Sequence, residues 1–375
     1  MKINIIENVR IPTEKAHGYQ ISKMCEEYSN LENEVNLILP GRENSIKDDL
    51  FKFYNLKNNF IVRYLKISKI FFKLNSKYKF KILSLYFYFK LFFKNIDGDL
   101  IITRDPCIVF LFKLKRKKVF LEAHYWPEKK RKLYSFCIKK ADKIICNSKG
   151  TAQKYKEVGL KNIIVAPNGV DLEKFNMSKN KEELRRELEL PKDKKIIMYV
   201  GHLYKWKGID MMIDVAEKLK NNKEIIFIVI GGIKNDIEKY QNIIKNKNIN
   251  NLLFLGYKKK DKIPTYLKSS DLLLLPNVPV SNEAVEYTSP IKMFEYMASQ
   301  RIIVASDLPS IKEILNNENS VLFKAGDSDD LLKKINRIFE MREDDREKII
   351  KRAFSDVQNY TWEKRARKIL DFLKV

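Results

Sequence analysis

Two runs of the chain carry residue types and spacings that could do chemistry: Gly201-His202-Leu203-Tyr204-Lys205-Trp206-Lys207-Gly208 and Thr288-Ser289-Pro290-Ile291-Lys292-Met293-Phe294-Glu295. The first is a basic loop with a glycine at each end, and such a loop suits an anion. Lys207 offers a point charge to phosphate oxygens, and His202 offers a hydrogen-bond donor. A solvated lysine-rich turn would use the same residues. The second run reads as the start of a helix. Ser289 is a good N-cap, and Pro290 suits the first helical position, where a missing N–H costs nothing. The free N–H groups beyond it and the positive end of the helix dipole make a ready anion site. Glu295 lies about one and a half turns in, close enough to hydrogen-bond hydroxyls of a ligand held at the tip. An ordinary capped helix explains this run equally well, so neither run decides the function alone.

The elements that must position these residues alternate between apolar runs and amphipathic stretches. In the first half, strands are expected at Lys2–Ile6, 35–39, Leu100–Thr103, 118–122, 143–147 and 163–166, with helices near 18–28, 83–94 and 125–141. That alternation argues for a parallel sheet with crossover helices. The pattern stops at the turn Pro167-Asn168-Gly169-Val170-Asp171, and the polar stretch 177–195 reads as a connection between domains. It then restarts, with strands at Lys195–Val200, 224–230, 251–255, Leu272–Leu275 and 302–305, and helices at 208–220, from Pro290, and at 329–341. A last helix opens at Tyr360-Thr361-Trp362-Glu363 and runs to Val375. Two doubly wound α/β domains follow, at 1–172 (with the helix 360–375 crossing back to it) and 173–359. Ligands of such sheets bind beyond the strand C-termini, here in a cleft between domains. A length of 375 residues also favours two domains.

Composition narrows the setting. Four cysteines (Cys25, Cys107, Cys137 and Cys146) have neither metal-type spacing nor a disulfide framework, which suits a reducing cytosol. The N-terminus has no signal-peptide apolar region, and no run of 18 apolar residues would span a bilayer. The net charge of +25 is uneven: residues 1–175 hold 35 Lys/Arg against 18 Asp/Glu, and the remainder 38 against 30. It peaks over 51–96, with eleven basic residues, no acidic one and fifteen Phe or Tyr; basic clusters at 113–118 and 129–132 follow. A lysine and aromatic mixture of this kind suits an anionic membrane surface, where each near-surface cation contributes about 1 kcal/mol. A general lysine-rich bias is the plain alternative. No recognition motif for RNA or DNA accompanies the charge, so nucleic acid is not an expected partner.

Taken together, the two runs resemble those of the family 4 glycosyltransferases, which have the two-domain GT-B fold. Pro167-Asn-Gly-Val-Asp171, Tyr199-Val-Gly201, Asp271-Leu272 and Phe294-Glu-Tyr-Met-Ala298 fall in that family's order. The resemblance is strongest over 165–314. It implies that Lys207 neutralises the leaving diphosphate and that Glu295 binds the ribose. Amides from Tyr287 through Thr288, Ser289 and Pro290 to Ile291 would meet the donor sugar and phosphates, and the turn at Gly256-Tyr257 would lie by the base. In the first domain, Glu122-Ala123-His124 matches the place where the family has a histidine facing the reacting sugar. Gly18, in the first loop, matches a glycine brought close to the phosphates. Two positions depart from the family pattern. Tyr287 stands where the first glutamate of a Glu-x7-Glu motif belongs, with Glu286 beside it, and His202 stands where an arginine is usual. A subgroup with the segment Ser-Pro-x-Lys-x-Phe-Glu-Tyr is the better match, and its Lys292 restores positive charge on the helix's first turn.

The resemblance implies a metal-independent transferase that retains anomeric configuration, with Lys207, His202 and His124 as the catalytic candidates and no dedicated nucleophile. No Asp-x-Asp pair stands where a divalent ion would bridge phosphates, and Asp329-Asp330 and Asp344-Asp345 fall in late helical segments. No cofactor is expected. The donor would be a nucleotide diphosphate sugar, UDP-linked in the first instance and GDP-linked in the second. The acceptor would be a lipid-linked sugar or a surface glycan of a bacterial envelope pathway, such as polysaccharide or lipopolysaccharide. The enzyme would work at the inner face of the cytoplasmic membrane. A transferase with a small soluble acceptor is one alternative, and a non-catalytic GT-B-like protein that binds a glycan or a partner is another.

Overall fold

The computed structural model describes residues 1–68, 71, 78–127 and 131–374. Lys129 and Lys130 of the expected basic cluster, part of the aromatic stretch 51–96, and Val375 lie outside them. The chain divides into two compact units, Met1–Pro167 with Trp362–Val375, and Asn168–Thr361. Among the described residues, no helix is long and apolar enough to cross a membrane.

The first unit is built on seven parallel strands: β1 (Lys2–Ile6), β2 (Glu34–Gly41), β3 (Ile61–Lys66), β4 (Leu100–Thr103), β5 (Val119–Ala123), β6 (Lys143–Cys146) and β7 (Ile163–Val165). Their order is β3-β2-β1-β4-β5-β6-β7. The central strands are buried on both faces, which is why β1 and β4 read as mostly apolar runs, broken in β1 by the buried Asn4. Edge strand β3 escaped the sequence reading. Its Ile61 and Tyr64 are exposed, so the alternation that marks a strand is blurred. The helix Trp362–Leu373 packs within this unit against the helix Ala16–Asn30, with Trp362 edge-on to Tyr19 and its own ring fully buried. The Lys143 amine donates to the Phe372 carbonyl at 2.6 Å, tying the end of that helix to β6.

The second unit has six parallel strands: β8 (Lys195–Val200), β9 (Ile225–Ile230), β10 (Leu252–Gly256), β11 (Leu272–Leu275), β12 (Ile302–Ser306) and β13 (Val321–Phe323), ordered β10-β9-β8-β11-β12-β13. The stretch 177–195, expected as a bare connection, instead carries the helix Lys181–Glu187 of this unit. Asn180 and Glu183 form a reciprocal capping box at its start. Its Arg185 is buried and pairs with Asp271 at 2.5 Å, while Asp271 also accepts the Ile196 N–H at 2.6 Å. One carboxylate thus fastens this helix to the starts of β8 and β11. Strand order reverses between β1 and β4 in the first unit and between β8 and β11 in the second. Loops leaving neighbouring strands at such a point diverge to opposite faces and open a crevice at the strand C-termini. The loops 201–208 and 276–290 leave β8 and β11 there.

Candidate functional site

At the end of β8 the Val200 N–H donates to the Tyr296 hydroxyl at 2.9 Å, fixing the strand to the helix Ile291–Ala298. Gly201 follows with φ +149°. A Cβ there would stand 3.1 Å from the Lys292 amine and 3.1 Å from the Tyr199 hydroxyl. At the far end of the loop, Gly208 has φ +77°, and a Cβ would stand 1.7 Å from the Pro276 carbonyl oxygen. Both glycines therefore let the loop fold tightly over β11 and the helix. Lys207 is half-buried, its amine 3.4 Å from the centroid of the Trp206 ring. Burial lowers that amine to about 7, with Glu283 pulling in the other direction. The His202 carbonyl accepts from the Tyr199 hydroxyl at 2.7 Å, and its ring stacks on Tyr204 with centroids 5.1 Å apart.

The helix start differs from the sequence expectation by one residue. Pro290, extended at φ −68° and ψ 127°, is the cap position itself, and no side chain caps the helix. Ser289 is not the N-cap. Its hydroxyl instead accepts the Asn168 N–H at 3.2 Å, and its carbonyl accepts from the Asn168 side chain at 2.5 Å. Asn168 thus holds the turn before the helix, and the first helical N–H groups keep no side-chain acceptor. Glu295, 7% exposed, is ion-paired to Lys260, a partner the sequence reading did not name. Tyr287 is buried at the end of a wide, π-helical turn over Glu283–Tyr287, and the half-buried Thr288 leads on in extended backbone. An acidic group that Lys207 feels from this turn is Glu283. Gly256 ends β10 with φ +68°, followed by the exposed Tyr257.

The first unit holds a second constellation, built around Glu122 at the end of β5. Its Oε1 accepts from Arg365 at 2.7 Å, from Arg104 at 3.2 Å and from His124 Nε2 at 3.0 Å. Burial alone would raise the Glu122 carboxyl, but Arg104, Arg365 and the His124 hydrogen bond outweigh it and hold it well below the usual carboxylate range. An ionised carboxylate only accepts, so Nε2 of His124 carries the proton and Nδ1 the lone pair. Burial, aided by Arg104, lowers His124 to about 4, so the ring is neutral at neutral pH. Gly18 lies inside the first turn of the helix Ala16–Asn30, not before it. A Cβ there would stand 2.1 Å from the Tyr54 hydroxyl, which itself donates to the Thr13 carbonyl at 2.7 Å. Its missing side chain therefore serves packing within this unit.

Comparison with known proteins fits this geometry. The family of glycosyl transferases group 1 matches residues 180–356, and Glycosyltransferase Family 4 matches residues 18–174. An uncharacterized glycosyltransferase of Methanocaldococcus jannaschii is 25% identical over 68% of this chain and 69% of its own length. An Escherichia coli UDP-Gal:alpha-D-GlcNAc-diphosphoundecaprenol alpha-1,3-galactosyltransferase is 30% identical, over 46% of this chain and 46% of its own. In structure, the Anabaena HepE protein in complex with UDP and glucose superposes with a TM-score of 0.77 at 17% identity, over 100% of this chain and 99% of that one. The chain belongs to the family 4 glycosyltransferases and has their two-domain GT-B fold.

The second-unit candidates Lys207, His202, Ser289 to Ile291, Glu295 and Gly256 all lie at one end of one sheet. In the first unit, Glu122 and His124 form one cluster. The sequence reading missed Arg104, Arg365 and Glu7 of that cluster. Glu7 is 2% exposed and accepts the Arg104 N–H at 3.0 Å; burial lifts its carboxyl to about 8, Arg104 opposing and Glu122 and Asp105 reinforcing. The native state therefore keeps a proton between the ordinary value of 4.5 and about 8 that the unfolded chain releases, and stability falls as pH rises through that window. Glu7→Gln removes the effect while keeping the acceptor. The variant is expected to unfold at higher denaturant than the wild type at pH 7, by on the order of 2–3 kcal/mol, and to match it near pH 4.

Proposed function

We propose that the protein moves a sugar from a UDP-linked donor to a lipid-linked or envelope-glycan acceptor, with retention of anomeric configuration and without a metal ion. The observation that carries this reading is the meeting, at the β8/β11 switch point, of the Lys207 loop with the uncapped start of the helix Ile291–Ala298. As the donor's glycosidic bond breaks, negative charge grows on the diphosphate. The Lys207 amine, which a bound diphosphate draws into its charged form, and helix amides already fixed in place stabilise it with little reorganisation. Glu295, oriented toward Lys260 before the ligand arrives, accepts from ribose hydroxyls. His124 contributes a neutral imidazole to sugar recognition, because its low pKa keeps it from acting as a cation. UDP is favoured by two similar proteins: HepE, seen in complex with UDP and glucose, and the Escherichia coli UDP-Gal-dependent galactosyltransferase. No side chain is assigned as nucleophile, in keeping with front-face attack by the acceptor hydroxyl.

The lipid side of the proposal rests on the first unit. The helix Lys79–Phe93 buries only Leu83, Ser84, Phe87 and Leu91, and leaves Phe80, Leu85, Phe89, Phe92 and Phe93 exposed. With Tyr64, Lys66, Lys90 and Lys94, Phe89 and Phe93 line a surface groove of about 600 Å³. Exposed aromatic rings among lysines suit the headgroup region of an anionic bilayer, and they favour a lipid-borne acceptor over a small soluble one.

Two tests follow. With UDP-sugars and diphosphate-lipid acceptors, turnover is expected to be unchanged by EDTA, and Lys207→Ala is expected to lower kcat/KM by about 10²–10³. A wild type as inactive as this variant across a panel of donors would instead indicate a binding protein. In sedimentation at low salt, the protein is expected to pellet with anionic vesicles, and Phe89→Ser with Phe93→Ser to weaken this severalfold. Equal recovery with neutral and anionic vesicles would remove the membrane from the account.

A further inference from the structure

Lys292 is the one buried cation at the second unit's strand ends for which the described residues offer no hydrogen-bond partner. Its side chain is 8% exposed, and its amine makes no hydrogen bond among the described residues. The amine lies 3.7 Å from the centroid of the Tyr199 ring, and 3.1 Å from where Gly201 would carry a Cβ. It thus points at the strand end from which the 201–208 loop departs, and the glycine keeps that approach open. The charged and titratable groups packed around it are Lys207 on the loop, Tyr199 on β8, and Glu295 and Tyr296 on its own helix; Glu295 is already ion-paired to Lys260. A buried amine without an acceptor is costly, and an unbranched apolar side chain would fill the same space against Tyr199 without that cost. The cation is kept where the helix N-terminus and Lys207 already favour an anion.

We propose that Lys292 is a second diphosphate-binding cation beside Lys207. It takes the charge-neutralising place that His202 cannot hold permanently, with phosphate oxygens of the ligand as its hydrogen-bond acceptors. This rests on the UDP-donor reading above. Burial, with Lys207 adding to it and Glu295 opposing, holds the Lys292 amine well below the usual lysine range, and Lys207 is lowered as well. Arrival of a diphosphate then restores both protons, so binding draws protons from solution.

The test is calorimetric titration of the full chain with UDP and with uridine at pH 8, in buffers of different ionisation enthalpy. Wild type is expected to take up protons on binding UDP and none on binding uridine, since uridine carries no phosphate. Lys292→Met, of similar volume, is expected to weaken UDP at least tenfold, to leave uridine within twofold, and to lower the proton uptake. UDP affinity and proton uptake unchanged in this variant would overturn the Lys292 assignment and leave the donor reading standing. Failure of the wild type to bind any nucleotide would overturn both. If Lys292→Met does not fold, Lys292→Gln is titrated in its place, and unchanged UDP affinity in that variant contradicts the proposal.

Discussion

Lys207 and Lys292 are brought near one another in surroundings that strip both of water, and the end of the second sheet is organised around that constraint. Two amines in partly apolar surroundings repel each other and lose hydration, so each is pushed toward neutrality. Such an arrangement persists only where the backbone leaves no alternative. Gly208 closes the loop against Pro276 at a spacing that no Cβ tolerates, and Asn168 fixes the turn before Pro290. Tyr296 ties β8 to the same helix. The one nearby carboxylate that could neutralise Lys292, Glu295, is drawn aside by Lys260. The result is a basic site that an anionic ligand brings into its charged form.

The first unit solves the opposite problem. There one carboxylate, Glu122, is surrounded by two guanidinium groups and a neutral imidazole, so positive charge more than offsets it. This arrangement fixes the His124 tautomer through Glu122 and, with burial, keeps the ring neutral. It also depends on the C-terminal helix, because Arg365 reaches Glu122 across 243 residues of sequence. Arg365 additionally donates to the Ala166 and Pro167 carbonyls, at 3.2 and 3.0 Å, where the first pass of this unit ends. A residue far from the family motifs therefore holds the motif histidine in position.

Much of this was legible in the sequence, and the failures have physical causes. The interior strands β1, β4, β8 and β11 were readable to the residue, because burial on both faces leaves mostly apolar runs. Edge strands β3 and β13 were not, since β3 mixes exposed apolar and basic residues and β13 is only three residues long. Ser289 looked like a cap from its local context, but Asn168, 121 positions away, claims its hydroxyl. Lys260 and Arg104 were invisible for the same reason, being ion-paired across long separations. Arg365 did leave a signal: it interrupts the buried stripe Trp362, Ala366, Ile369, Leu370 and Leu373 of an amphipathic helix, and a charge on such a face needs a buried partner.

The central claim is that a nucleoside diphosphate binds at the ends of β8 and β11 in the second unit. Amide hydrogen exchange of the full chain with and without saturating UDP tests it most directly. The account predicts slower exchange over residues 201–208 and 288–295, with the interior of the first sheet, β1 and β4 to β6, unchanged. Protection confined to other segments, or none at saturation, would contradict it.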